Sequence, residues 1–324
     1  MPVPLSRLRE PVERELGAFR EHFRDAMATR VSLLDRVTRY VLRRKGKEIR
    51  PTLVLLSAEM CGGVREASYT AAALVELLHT ATLVHDDVVD EAETRRGAFT
   101  IHKVWKNKVA VLFGDYLLSR GLLLALDHKR YDLLHTMSDA VRRMSEGELL
   151  QIETARKLDI TEETYFRIIG DKTGSLIAAC LAAGAESAGA TPEAAARARA
   201  IGESLGLAFQ IRDDLFDYDG ADVGKPVGLD LQDRKMTLPL IAALDLAPAP
   251  ERERIMRVVR KRRKSPAQVR EVVRWVHETG GVAAARARME ALAAEAADGL
   301  RTFPAGPARE ALIGLCAYVI ARKR

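Results

Sequence analysis

Two aspartate clusters of identical spacing constrain this chain more than any other feature of its sequence. They are Asp86-Asp87-x-x-Asp90 and Asp213-Asp214-x-x-Asp217, and each ends an apolar segment with helical periodicity. An ionised carboxylate beside an apolar core is costly unless a positive partner compensates it. The chain therefore favours a fold in which both clusters meet at one cavity that holds divalent metal and a polyanion.

The spacing within each cluster predicts a metal site on a helix. Residues four apart lie on the same helix face, so Asp86 and Asp90 project together, as do Asp213 and Asp217. Mg²⁺ suits such carboxylates because it prefers oxygen ligands, keeps several waters and is often completed by phosphates. A calcium loop is excluded, since its glycine and distal glutamate are missing. A solvated acidic helix face is the alternative, but apolar flanks argue against it for both clusters.

Composition and periodicity predict one all-α domain over residues 1–324, with about ten to thirteen helices. Ala, Leu, Arg and Glu are abundant, and β-branched alternation is scarce. Helical segments are expected at 66–90, 109–126, 133–155, 163–185, 194–219, 238–246, 282–300 and 308–321. Thr191-Pro192 and Ser265-Pro266 have the pattern of helix N-caps followed by proline. The stretch 220–234, rich in Gly and Asp, is expected to be irregular and to act as a lid.

The charge balance does not indicate a nucleic-acid partner. The net charge is +6, aromatics are 5% of residues, and no basic stripe is interleaved with aromatics. The basic run 260–264 is expected to be a solvated helix end. Cys61, Cys180 and Cys316 lack disulfide or metal-ligand spacing, residues 1–20 lack a signal-peptide core, and no apolar run approaches ~20 residues. We therefore expect a soluble, cytoplasmic protein with free thiols.

Cationic residues accompany both clusters: Arg95-Arg96-Gly97 after the first, Lys225 and Lys235 after the second, and Lys172-Thr173-Gly174 and Lys47-x-x-Arg50-Pro51 elsewhere in the chain. Arginine forks and lysine point charges are the usual means of holding phosphate. A lone Lys or Arg is usually a surface residue. Together with two metal-binding clusters, these groups indicate a pocket for diphosphate.

At these positions the chain resembles the trans-polyprenyl diphosphate synthases, the head-to-tail prenyltransferases of the class I isoprenoid synthase fold. The resemblance covers roughly residues 47–240 and rests on four stretches: GKEIRP (46–51), LLHTATLVHDDVVDEAETRRG (77–97), DKTGSL (171–176) and GLAFQIRDDLFDYDGADVGKPVGLDLQDRKMTLPL (206–240). The chain departs from the family at Arg234, where many members carry glycine before the lysine. The resemblance implies a helical bundle with a central active-site cavity.

The resemblance also implies which residues bind metal and substrates. Asp86, Asp90 and Asp213 bind about three Mg²⁺, and Asp87, Asp214 and Asp217 support them directly or through water. The allylic substrate is held by Arg95, Lys172, Thr173, Gln210, Lys225 and Lys235. The diphosphate of isopentenyl diphosphate is held by Lys47, Arg50, His79 and Arg96. His85 is assigned a structural role.

The implied reaction begins when metal and cations stabilise the leaving diphosphate and the allylic C–O bond ionises. The double bond of isopentenyl diphosphate then attacks the allylic cation, and a proton is lost to the departing diphosphate. Family members are usually homodimers, so we expect a homodimer. The apolar product suggests transient membrane contact without an anchor. The basic tail 322–324 is expected to be solvated, with contact to a diphosphate or an anionic membrane surface as the alternative.

Product length is predicted from residues one turn before the first cluster. Ala81 and Thr82, with Leu78 one turn further, are placed beside the tunnel that receives the growing chain. The resemblance implies that members making C15 or C20 products often carry an aromatic floor in this region. This chain lacks one, so we expect a product of about C30 to C50, limited by helix length. A second floor is expected from a neighbouring helix, with Phe113, Tyr116, Leu117 and Leu123 as candidates, and Phe113 would shorten the product if it pointed inward.

Three other functions compete with this reading. A short-chain synthase making farnesyl or geranylgeranyl diphosphate shares the motifs and differs in its tunnel. A class I terpene cyclase usually has an Asn/Ser/Glu metal motif in place of the second cluster. A non-catalytic regulatory subunit should have lost metal ligands, whereas this chain keeps all six aspartates.

Overall fold

The computed structural model describes residues 4–43, 46–95, 97–158, 160–219 and 228–322. The first half contains helices α1 (Leu5–Arg9), α2 (Glu13–Ala26), α3 (Ser32–Leu42), α4 (Ile49–Met60), α5 (Glu66–Val89) and α6 (Ile101–Asp127), with a 3₁₀ turn at Glu10–Val12. The second half contains α7 (Tyr131–Lys157), α8 (Glu162–Ile169), α9 (Ser175–Ser187), α10 (Pro192–Phe216), α11 (Leu229–Gln232), α12 (Leu238–Leu246), α13 (Ala249–Val259), α14 (Pro266–Glu278), α15 (Gly281–Arg301) and α16 (Pro307–Ala321). The predicted all-α class is confirmed.

A small hairpin interrupts the helices directly after the first aspartate cluster. Strands β1 (Thr94–Arg95) and β2 (Ala98–Phe99) are antiparallel, with Arg95 opposite Ala98. The sequence does not predict a strand here. Two residues per strand are too few for alternation of apolar residues to be visible.

The predicted helix positions agree well with the structure where periodicity is long. The segment 66–90 forms α5, and 238–246 forms α12. The predicted caps are present, since the Thr191 side chain accepts from Ala194 N–H and Ser265 accepts from Gln268 N–H, each at 3.3 Å. The prediction of an irregular stretch at 220–234 is wrong at Leu229–Gln232, which form α11, and residues 220–227 lie outside the described ranges.

The predicted helix 163–185 is divided by a π-helical turn, Gly170–Gly174, between α8 and α9. Neighbouring helices approach this turn through glycines. A Cβ on Gly147 of α7 would lie 2.9 Å from Lys172 N, and one on Gly206 of α10 would lie 2.7 Å from Gly174 Cα. The turn is therefore fixed between two helices that have no side chain at the contact.

Helix α9 forms the centre of the bundle, and its neighbours α4 and α10 pack closely against it. A Cβ on Gly184 would lie 2.3 Å from Val54 O of α4, and one on Gly202 of α10 would lie 2.7 Å from Ala178 Cα. The buried apolar side chains from Leu8 to Val319 form one connected core. This packing fixes α5 and α10, which carry the two aspartate clusters at their C-terminal ends.

Three helical stretches are long and apolar enough to cross a membrane, judged by length and composition alone: Glu66–Val89, Ile101–Asp127 and Glu162–Ser187. The expectation that no apolar stretch approaches this length is therefore wrong. The first and third are 67% and 78% buried within the bundle, which accounts for their apolar character. In α6 only 33% is buried. Helix α6 therefore presents an apolar side that the described residues leave uncovered.

Candidate active site

The first aspartate cluster lies at the C-terminal end of α5. Asp86 and Asp87 are in its last turn, and Asp90 caps it. The C-terminal end of a helix carries a negative partial charge, so carboxylates there need cationic partners. Asp87 is buried and accepts a hydrogen bond from Arg95 Nε of β1 at 2.6 Å. Arg95, predicted to hold the allylic diphosphate, thus compensates the charge of Asp87 in this structure.

Asp86 lies beside charged residues from two other helices. Its pKa is raised above the usual value by partial desolvation and then by Glu148, while Lys172 acts in the opposite direction. Lys172 Nζ donates to Glu148 Oε2 at 2.5 Å and to Gln151 Oε1 at 3.3 Å. Glu148 and Gln151 belong to α7 and were not predicted. Polar residues at these positions are equally typical of the solvated face of an amphipathic helix. Lys172, a predicted diphosphate ligand, therefore lies beside the first cluster.

The second aspartate cluster lies at the end of α10, and the carboxylate of its second residue, Asp214, is buried. Asp214 accepts hydrogen bonds from Tyr165 OH at 2.6 Å and from Gln210 Nε2 at 3.0 Å. Burial raises the pKa of Asp214 to about 7, although both hydrogen bonds act in the opposite direction. Gln210 Oε1 in turn accepts from Thr173 Oγ1 at 2.8 Å. Thr173 and Gln210, both predicted to bind the allylic substrate, are thus in direct contact, and Gln210 also donates to the Asp214 carboxylate.

Asp217, predicted to support the metal, also stabilises the fold. Its two carboxylate oxygens accept the backbone N–H groups of Leu229 at 2.9 Å and Asp230 at 3.1 Å. These are the first amides of α11, which Asp217 caps from the end of α10. Asp230 brings a further carboxylate towards Asp214, whose pKa it raises.

Asp213, the first residue of the second cluster, contacts Arg322 near the end of the chain. Arg322 Nη2 lies 2.5 Å from Asp213 Oδ1, and its guanidinium lies 3.9 Å from the Phe209 ring centroid. The Arg322 side chain is only 15% exposed. The expectation of a solvated tail is therefore wrong for Arg322, whereas residues 323 and 324 lie outside the described ranges. An arginine 109 positions away gives no signal in the sequence.

A small cavity of about 120 Å³ brings much of the predicted allylic site together. Its lining includes Gln151, Lys172, Thr173, Gln210, Asp214 and Lys235. Arg234, next to Lys235, has a φ of +60°. This left-handed conformation favours glycine and gives a physical reason for the glycine that many family members carry at this position. Lys225 lies outside the described residues.

A larger cavity of about 460 Å³ lies between α2, α5 and the hairpin. Its lining includes Phe23, Gly46, Glu48, Thr80, Asp87 and Arg95. The predicted isopentenyl diphosphate ligands are near its edges: Lys47 is exposed between two lining residues, Arg50 lies in the first turn of α4, and His79 is buried on α5 beside Thr80. Arg96 lies outside the described residues. Arg20 of α2, which was not predicted, pairs with Glu48 at 2.8 Å.

The predicted chain-length residues divide into buried and displaced ones. Leu78, Ala81, Phe113 and Leu117 are fully buried where α5 packs on α6, and Thr82 is half-buried with its hydroxyl donating to His79 O at 2.9 Å. Two floor candidates are wrong. Leu123 is 47% exposed, and the Tyr116 hydroxyl points to the end of α2, 3.2 Å from Ala28 O.

His85 is held between α5 and α6, in line with its structural assignment. A Cβ on Gly114 would lie 2.2 Å from His85 Nε2, so the ring occupies the space that a side chain there would need. Asp115 Oδ1 lies 3.5 Å from the same nitrogen.

The donor set fits a hard divalent cation that keeps much of its water. Across the ranges that the structure describes, no three His, Cys, Asp or Glu side chains converge closely enough to hold a metal by themselves. Mg²⁺ usually takes one or two protein carboxylates and completes its shell with water and substrate phosphate. Two separate aspartate clusters, with Arg95 and Lys172 beside the first, match that requirement.

Comparison with known proteins agrees with this geometry. A family model described as Polyprenyl synthetase matches residues 31–276. Octaprenyl diphosphate synthase from Escherichia coli (strain K12) is 36% identical over 322 residues, 99% of each chain. The crystal structure of a decaprenyl diphosphate synthase from Rhodobacter capsulatus matches with a TM-score of 0.92 and 34% identity, covering 99% of this chain and 100% of that one. A polyprenyl synthase from Caulobacter crescentus CB15, complexed with calcium and isoprenyl diphosphate, matches with a TM-score of 0.89 and 32% identity over 100% of this chain and 99% of that one. The chain belongs to the polyprenyl synthetase family.

Proposed function

We propose that this protein condenses isopentenyl diphosphate with an allylic diphosphate, head to tail, to give a long-chain all-trans polyprenyl diphosphate and free diphosphate. The observation that carries the proposal is the position of Lys172. Its positive charge acts to lower the pKa of Asp86, and its side chain lines the same cavity as Asp214. One cation thus connects both clusters, as a clamp around a single diphosphate requires. The long-chain product is supported by the likeness to octaprenyl and decaprenyl diphosphate synthases.

The proposal assigns Mg²⁺ to Asp86, Asp90 and Asp213, with about three ions per site. When bound, the metal neutralises the charge that develops on the leaving diphosphate. Asp87 and Asp214 stay close to these ligands, one held by Arg95 and the other by Tyr165. This arrangement is consistent with a relative whose structure contains calcium and isoprenyl diphosphate.

The chain's own cations orient the substrates. Lys172 is paired with Glu148 and Arg95 with Asp87, so each can exchange a carboxylate partner for a phosphate oxygen without crossing the cavity. Thr173 and Gln210 offer oxygen dipoles to the allylic carbon as the C–O bond breaks. The new C–C bond takes its electron pair from the isopentenyl double bond, and the proton leaves with the diphosphate. No side-chain base is needed.

The direct test is an incubation with farnesyl diphosphate, isopentenyl diphosphate and Mg²⁺, followed by chromatography of the dephosphorylated products. We expect products of about C30 to C50, set by tunnel length. Arrest at C20 would favour the short-chain alternative, and a cyclised hydrocarbon would favour a terpene cyclase. Asp86→Asn is expected to lower kcat by at least about 100-fold, since a lost metal ligand costs roughly 3 kcal/mol of transition-state stabilisation. Full activity in this variant would remove the basis of the proposal.

We further infer a homodimer formed through α6. Its uncovered apolar side chains include Val111, Leu112, Leu122, Leu123 and Leu126, each at least 40% exposed. Exposed apolar patches of this kind usually mark protein interfaces. Light scattering after size exclusion should give twice the chain mass of 35.8 kDa, and Leu112→Glu should shift it to the monomer. A monomeric wild type would reject the inference.

The proposal also places the protein in the cytoplasm, with transient membrane contact when the apolar product is released. All three cysteines are free thiols in the structure, as a reducing compartment permits. Cell fractionation with the native chain tests the location. Recovery in a membrane fraction that resists high salt would contradict a transient contact.

A further inference from the structure

The positive charge of this protein is concentrated at one turn. Between residues 257 and 270 the sequence carries seven basic residues and no Asp or Glu: Arg257, Arg260, Lys261, Arg262, Arg263, Lys264 and Arg270. The net charge of the whole chain is only +6. The remainder of the chain is therefore slightly acidic, and this segment accounts for all of the excess positive charge.

Six of these residues face solvent, and we call them the basic turn: Arg257, Arg260, Lys261, Arg262, Arg263 and Arg270. They surround the connection between α13 and α14, whose apolar sides are buried through residues such as Val259 and Val269. No carboxylate within the described ranges forms an ion pair with them, although Arg254, one turn earlier, pairs with Glu271. Lys264 is different, since it is buried and donates to Lys261 O at 2.9 Å.

The basic turn lies beside the helix that the second aspartate cluster caps. Gln232 Nε2 of α11 donates to Lys264 O at 3.3 Å, and a Cβ on Gly228 would lie 2.2 Å from Val269 Cγ1. Asp217 binds the first amides of the same helix. Leu229 at its start is 53% exposed. The basic turn therefore packs beside α11, which Asp217 in turn joins to the end of α10.

We propose that the basic turn docks the protein on an anionic lipid bilayer. The inference rests on the proposed function, because a long-chain prenyl product has to pass into lipid. Each basic residue near an anionic leaflet strengthens binding about fivefold, so six act together as a strong but salt-sensitive anchor. A nucleic acid is the less suitable partner: the sequence from Glu251 to Arg274 contains no aromatic residue on which a base could stack.

The test compares two triple variants with the same change in net charge. One is R260E/R262E/R263E in the basic turn, and the control is R7E/R30E/R36E, which replaces exposed arginines of the N-terminal region. Purified full-length protein is sedimented with phosphatidylcholine vesicles, with and without phosphatidylglycerol. We expect wild type and control to bind the anionic vesicles, and the basic-turn variant to bind them at least about 100-fold more weakly. Thermal unfolding shows whether both variants fold, and R260Q/R262Q/R263Q replaces the first if it does not.

Several results would overturn the proposal. These are equal binding to neutral and anionic vesicles, an equal loss in the control, or a basic-turn variant that keeps its vesicle binding. Loss of duplex DNA binding with unchanged vesicle binding would assign the surface to nucleic acid. A salt-dependent fall in kcat/KM for isopentenyl diphosphate with unchanged vesicle binding would assign it to attraction of dissolved diphosphates. Synthase activity is measured separately in detergent without vesicles, so failure of the proposed function would be distinguishable.

Discussion

Arg322 Nη2 lies 2.5 Å from Asp213 Oδ1, so the end of the chain supplies a positive charge to the second aspartate cluster. The same nitrogen donates to Phe209 O at 3.1 Å, and the Arg322 carbonyl accepts from Arg212 Nη2 at 3.1 Å. The residue is therefore fixed on both its side chain and its backbone. A guanidinium occupies part of the space in which a metal ion would meet Asp213.

Replacing Arg322 by alanine is expected to increase the affinity of the protein for Mg²⁺ about fivefold, because the ion no longer competes with a guanidinium. The estimate corresponds to roughly 1 kcal/mol, the value of a charge-assisted hydrogen bond reduced for the part-exposed Asp213. Titration calorimetry with Mg²⁺ alone measures it. Arg286→Ala is the matched control, since Arg286 pairs at 3.0 Å with Asp219 and not with the cluster. Equal affinities in wild type and Arg322→Ala would contradict the competition.

Asp217→Asn is expected to act on stability, whereas Asp213→Asn should act on activity. Asn offers one carbonyl oxygen in place of the two carboxylate oxygens that accept Leu229 and Asp230 N–H. Loss of such a cap costs about 1 kcal/mol of unfolding free energy. Urea unfolding measures the first effect and the prenyl transfer rate the second. A stable, inactive Asp217→Asn protein would instead give Asp217 a direct place among the metal ligands.

The stability of the metal-free protein should depend on pH through Asp214. Its pKa is about 7 in the folded chain and near the ordinary 3.8 when unfolded. The folded state therefore retains a proton that the unfolded state releases, and this contribution to stability is lost as pH rises from about 4 to 7. Asp214→Asn should remove that part of the slope, and Mg²⁺ should reduce it. Unfolding free energies at several pH values test this, and identical slopes for wild type and variant would refute it.

Ala81→Phe is expected to shorten the product, because the new ring would close space beneath the first cluster. Ala81 is fully buried, so thermal unfolding must first show that the variant folds. Leu246→Phe is the control, since Leu246 is 61% exposed at the end of α12. Product length is measured with farnesyl diphosphate as primer. A folded Ala81→Phe enzyme with unchanged product length would mean that the tunnel runs elsewhere.

Much of this molecule is visible in its sequence where the relevant signal is local. The long periodic pattern of 66–90 predicted α5, and the spacing of Asp86 and Asp90 predicted their shared face. Partners that depend on tertiary packing were not visible. Tyr165 lies 49 positions from Asp214, and no local sequence pattern around either residue predicts the 2.6 Å hydrogen bond between them.

The same limit explains the errors around product length. Helical periodicity normally indicates which side of a helix faces inward, but α6 also carries apolar residues on its exposed side, so its pattern is ambiguous. The sequence therefore predicts that Leu123 and Tyr116 line the tunnel, although Leu123 lies on the uncovered side of α6 and Tyr116 contacts the end of α2. Arg322 was misassigned for a related reason, because a basic residue at a chain end is solvated in most proteins.

The π-helical turn at Gly170–Gly174 acts as a one-residue insertion inside what is otherwise a continuous helix. Deleting one residue from it would restore ordinary helical geometry and rotate Lys172 relative to α9 by about 100°. The lysine would then leave Glu148, and Gly147 and Gly206 would face a differently shaped neighbour. Single deletions should therefore be far less tolerated here than in the exposed turns between helices. The active site depends on the register of this helix as well as on the identity of its side chains.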